Sequence, residues 1–91
     1  MPVNTVWLEI SGARVTAALH EALEKLDAAD GEVVLDFSSV ERVDSGAFQV
    51  MEKLAGQADQ KGVKLVLRGV NVHTYKALKL MNLAPRFSFL S

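Results

Sequence analysis

Apolar positions recur along this chain with two periods, and the alternation between them predicts the fold. From Val3 to Ile10 the period is two. Val6, Leu8 and Ile10 fall on one face and Trp7 and Glu9 on the other, as in a half-buried strand. Ser11-Gly12 breaks it. Val15, Ala18, Leu19, Ala22, Leu23 and Leu26 then share one stripe of a helix, with His20, Glu21, Glu24 and Lys25 off the stripe. Ser11 and Thr16 both stand as N-caps for it. Asp30-Gly31 stops that helix and turns the chain. Val33-Val34-Leu35, ending in Asp36, is a short unbroken apolar run, which suits a central parallel strand buried on both faces.

The pattern then repeats. After a longer connection over residues 37–43, Asp44-Ser45-Gly46 opens a second helix. Its stripe, Ala47, Val50, Met51, Leu54, Ala55 and Ala58, has the spacing of the first, and Gly62 ends it. Val63 to Leu67 is a third strand closed by Gly69. Asn71 caps a third helix reaching about Met81, with Thr74, Ala77, Leu78 and Met81 on its stripe. Leu83-Ala84-Pro85 breaks that helix, and Arg86 to Leu90 reads as a last strand. The order is βαβαβαβ. Crossovers of this length imply one α/β domain over residues 1–91, a mainly parallel central sheet flanked by helices.

Composition narrows the function. Half of the 91 residues are apolar (49%), enough for one core. The net charge is −1 and the ten basic residues are scattered, so the sequence carries no footprint for nucleic acid or an anionic membrane surface. No cysteine is present, which excludes disulfides, thiolate zinc sites and cysteine nucleophiles and agrees with a reducing compartment. Met1-Pro2-Val3-Asn4-Thr5 has no signal-peptide pattern, and no apolar run approaches the roughly 20 residues of a membrane span. The expectation is a cytoplasmic protein without direct membrane insertion. His20 and His73 have no metal-ligand spacing and read as surface residues. Neither a P-loop nor a dinucleotide-binding glycine pattern occurs, so no cofactor and no enzymatic activity are expected. Met51, Met81, Phe37 and Phe48 read mainly as core.

One segment carries chemistry. Asp44-Ser45-Gly46 lies where the loop after a parallel strand meets a helix, at the edge of the sheet where open α/β folds place functional groups. A helix start exposes free N–H donors and the positive end of the dipole, so a phosphate there is tolerated. Asp and Ser are the commonest caps, and Ser45 reads first as the N-cap; a capping serine can also be modified. Asp36, at the end of its strand, superficially looks like a receiver-domain phosphoacceptor. That reading fails because Leu8-Glu9-Ile10-Ser11-Gly12 offers no acidic pair.

Val33-Val34-Leu35-Asp36-Phe37-Ser38-Ser39-Val40 followed by Val43-Asp44-Ser45-Gly46 resembles the STAS domain signature, an apolar strand ending in Asp-Leu-Ser, a loop, then Asp-Ser/Thr at a helix start. The later Gly62 to Leu67 and Gly69-Val70-Asn71, with Leu78 to Leu83 and Arg86-Phe87, are similar to the family's later strand, helix and tail. The resemblance implies an anti-sigma factor antagonist-like signalling module, with Ser45 phosphorylated by a partner anti-sigma kinase and Asp36, Asp44 and Gly46 supporting the acceptor loop. Gln49, Glu52 and Lys53, on the polar side of the second helix, would dock the partner. That partner would be an anti-sigma factor and serine kinase, with a phosphatase acting on the same site, or alternatively a transporter ATPase subunit bound without modification. Gly46 and Phe48 depart from the family pattern, which places one small residue between the acceptor and the glycine, followed by a leucine; here the glycine is one position early and the leucine is Phe48.

Overall fold

The computed structural model describes residues 4–29 and 31–90. Four strands, β1 (Asn4–Glu9), β2 (Gly31–Asp36), β3 (Lys64–Arg68) and β4 (Ser88–Leu90), form one sheet in the order β1-β2-β3-β4, every neighbouring pair parallel. The crossovers are α1 (Val15–Leu26), α2 (Ser45–Lys61) and α3 (Val72–Leu80), with a short 3-10 turn over Ala84–Arg86 before β4. Neighbouring parallel strands joined in sequence by right-handed crossovers hold their helices to a common face. Burial follows the pleat. Val33, Leu35, Leu65 and Leu67 join the core with the stripes of α1 and α2, which pack on each other. Trp7, Val34 and Val66, in register on the other face, stand outside that core, and the Arg68 guanidinium lies 5.7 Å from the Trp7 ring.

The helix stripes are the predicted ones. Leu19, Ala22 and Leu26 of α1 are buried, as is the whole predicted stripe of α2. Val33, Val34 and Leu35 are all buried, as a central strand requires. Gly62, in the left-handed conformation, ends α2, and the Asn71 side chain caps α3 by accepting from the Thr74 amide.

Other expectations are corrected. Neither Ser11 nor Thr16 caps α1; Arg14 occupies the N-cap position and makes no side-chain cap bond. The helix ends at Leu26, ahead of Gly31; Asp30 lies outside the described residues, as does Val3 at the start of the first predicted strand. Residue 86 belongs to the 3-10 turn around Pro85 and not to the last strand, because a proline ring pre-sets a turn and removes a ladder donor. Met81 is exposed and not core: α3 stops at Leu80, so Met81 leaves the stripe as the helix's C-cap.

Candidate functional site

Three loops meet at the C-terminal edge of the sheet. The loop after β2 (residues 37–44) leads into α2, and those after β1 and β3 brace it. A Cβ on Gly12 would stand 2.1 Å from the Ser39 carbonyl oxygen, so the β1–α1 loop touches the β2–α2 loop backbone to backbone. Gly69, at φ +71°, brings the β3–α3 loop against Ser38, where a Cβ would stand 3.0 Å from the Ser38 Cα. Asn71 adds a third tie. Besides capping α3, its side-chain amide donates to the carbonyls of Val40 and Glu41 at 3.2 and 2.9 Å. The loop that carries the candidate acceptor is therefore held from two sides.

Asp36 begins this loop. Its Oδ1 accepts from the amide (2.9 Å) and the hydroxyl of Ser38, and Arg68 Nη1 lies 3.3 Å from Oδ2 and donates to Ser38 Oγ at 3.2 Å. The Ser38 hydroxyl first, then its amide, then Arg68, hold the carboxyl below its ordinary value of 3.8, with burial opposing them. A carboxylate depressed in the folded state stabilises the fold above its unfolded value, and that stabilisation is lost as pH falls through the lowered folded value. Asp36→Asn should therefore destabilise the protein at neutral pH by about 1 kcal/mol, and the loss relative to wild type should shrink below pH ~4. Denaturant titrations across that range check it.

The start of α2 differs from the expectation in one residue. Ser45 is not the cap. Asp44 is, with extended backbone (φ −87°, ψ 176°) and its Oδ1 accepting from the Ala47 amide at 2.8 Å. Ser45 is the first helical residue, exposed, and no hydrogen bond among the described residues uses its hydroxyl. The cap satisfies one donor of the helix start while leaving Ser45 Oγ free at its positive end. Asp36 and Asp44 belong to separate polar groups, and no hydrogen bond joins them among the described residues. Gln49, Glu52 and Lys53 are exposed along the next two turns. His20 and His73 are exposed.

Gly46 is not required by this geometry. A Cβ there would meet only Asp44 Oδ1, at 3.5 Å, and the residue is helical. Gly46→Ala should leave the turn intact and stabilise the protein by about 0.5–1 kcal/mol, read as a rise in the denaturation midpoint.

Two arginines escape a sequence reading. Arg14, at the start of α1, and Arg42, in the β2–α2 loop, line a cleft together with Gly12, Thr16 and Asp44. They are 28 positions apart in sequence, and only the parallel β1–β2 pairing brings their loops together.

The fold and this loop define a small α/β module with an exposed hydroxyl at a braced helix start. The Mlab, STAS domain model matches residues 2–89, nearly the whole chain, and the protein belongs to the STAS domain family, generally non-enzymatic modules that bind other proteins. Two solved structures share the fold. A sulfate transporter family protein from Wolinella succinogenes superposes with a TM-score of 0.76 at 20% identity, over 98% of this chain and 80% of its own. A candidate anti-sigma factor antagonist from Thermotoga maritima superposes with a TM-score of 0.65 at 24% identity, over 100% of this chain and 75% of its own. No curated protein matches the sequence. Among the described residues no helix is long and apolar enough to cross a membrane.

Proposed function

We propose that this protein is a non-enzymatic signalling module of the anti-sigma factor antagonist type, switched by phosphorylation of Ser45. The observation that carries the reading is the division of labour at the α2 start: Asp44 caps the helix, and the Ser45 hydroxyl is exposed and makes no hydrogen bond among the described residues. In the unmodified form the α2 surface, with Gln49, Glu52 and Lys53 on its polar side, docks a partner that is both anti-sigma factor and serine kinase. Phosphorylation adds about −1.5 to −2 charges to that surface, and the partner leaves. A phosphatase resets it. Asp36 and Asp44 set the loop, and Gly46 leaves the approach to Ser45 open.

A second reading keeps the docking and drops the switch: the same face binds a transporter ATPase subunit or a larger assembly, unmodified. Gly46 directly after Ser45 favours it, because a kinase would meet a residue that departs from the family pattern at the position beside the acceptor. Ser45→Ala separates the two. Under the switch, wild-type protein is released from the partner kinase when ATP is added and Ser45→Ala stays bound. Under unmodified docking, ATP releases neither, and Glu52→Lys weakens assembly whereas Ser45→Ala does not.

A further inference from the structure

All eleven acidic residues of the chain lie at or before Asp59, and six of the ten basic residues lie after it. The near-zero net charge conceals this polarity. Lys61, Arg68 and Arg86 pair back to Asp27, Asp36 and Asp59. Lys76 and Lys79, both on α3, have no acidic partner among the described residues. The same region carries six of the seven exposed large apolar side chains found among those residues: Val72, Tyr75, Leu80, Met81, Phe89 and Leu90. Leu80 is 86% exposed and Val72 65%.

Their arrangement is specific. At about 100° per residue, the outer face of α3 reads Tyr75, Lys79, Val72, Lys76, Leu80 in angular order, apolar and basic alternating. Tyr75 and Phe89 stack edge to face at 5.1 Å and join α3 to the edge strand β4. Two clefts meet at this pair, one lined also by Val70, Val72 and Leu90, the other by Lys79, Asn82 and Pro85. The Lys79 ammonium lies 5.7 Å from the Tyr75 ring.

We propose that the α3–β4 face is a second docking surface, for an acidic segment of a protein partner anchored by apolar side chains in these clefts. Contiguous exposed apolar groups mark interaction sites, and unpaired lysines interleaved with them select carboxylates. A second copy packed on this face about a two-fold axis would set Lys76 and Lys79 against their own counterparts, which disfavours it. An anionic bilayer is also a poor match, because lipid attraction takes clusters of about four to eight basic residues and this face has two. The partner of complementary charge is an acidic protein segment.

Photo-crosslinking with p-benzoylphenylalanine at position 80, on the full chain in its own cells, tests this. Sequencing the cross-linked peptide is expected to show a net-negative protein segment with apolar residues at helical or alternating spacing. Lys76→Glu combined with Lys79→Gln should lower the yield by about tenfold or more while the circular dichroism spectrum stays that of the wild type. Cross-links to lipid, to a second copy, to a neutral or basic segment or to nothing would overturn the proposal, as would a yield the double variant leaves unchanged. Vesicles of equal parts phosphatidylglycerol and phosphatidylcholine should not bind the wild type; binding that the double variant abolishes would assign the face to a membrane instead.

Discussion

Ser45→Asp is expected to weaken binding to the partner kinase by about ten- to a hundredfold, and phosphorylation itself by about a hundredfold or more. The effect depends on where the charge sits. In the free protein an anion at the first position of α2 meets the positive end of the helix dipole, worth about 0.3–1 kcal/mol, with Asp44 beside it as a partial offset. Folding stability should therefore change little. In a complex the same charge is pressed against the partner and stripped of water, and an unpaired charge at an interface costs several kcal/mol. Binding falls while the melting temperature holds. Calorimetric titration beside a thermal melt of the same sample separates the two; a Ser45→Asp protein that melts much lower, or binds as tightly as wild type, contradicts the account.

The second large effect lies across the loop. Gly12→Ala puts a methyl group 2.1 Å from a backbone carbonyl oxygen, a separation no side-chain rotation relieves. Gly12 is outside the left-handed region, so the cost is steric alone. Either the β1–α1 loop or the β2–α2 loop must move. A loss of about 3 kcal/mol is expected, seen as a fall of roughly 15 °C in melting temperature. Because the displaced loop leads into Asp44 and Ser45, partner binding should fall further than the loss of folded protein explains. A Gly12→Ala protein with wild-type stability would show that the loops are not packed backbone to backbone.

The regular elements were legible because each is set by a local period. The stripes of α1 and α2 come from spacing, and Asn71 and Gly62 are cap residues with distinct backbone chemistry. The cap of α2 lies one residue before the one expected from sequence, since Asp and Ser cap equally well. A finer signal was present. With Asp44 as cap, the residue before it is Val43 and the fourth helical residue is Phe48, both apolar, Phe48 in the core and Val43 half-buried against it, as a hydrophobic staple requires. With Ser45 as cap the same two positions would be Asp44 and Gln49, both polar. The cap of α1 was out of reach, because Arg14 makes no side-chain bond for a sequence rule to detect.

What holds the candidate site lay beyond local pattern altogether. Arg68 reaches Asp36 across 32 positions, Asn71 reaches the Val40 carbonyl across 31, and Gly12 touches Ser39 across 27. Each depends on the parallel register of neighbouring strands. Its place at the end of a strand marks Asp36 in the sequence, but no local pattern marks Ser38 and Arg68 as its partners. The charge polarity about Asp59 was in the sequence throughout, masked by a net charge near zero.

A phosphorylation switch at the Ser45 turn is tested by a phosphosite map of the intact protein after incubation with ATP and its partner kinase. One phosphoryl group on Ser45, absent from the Ser45→Ala protein, is the predicted result. Phosphate at any other residue, or an unmodified protein alongside a kinase that is active on itself, would contradict it.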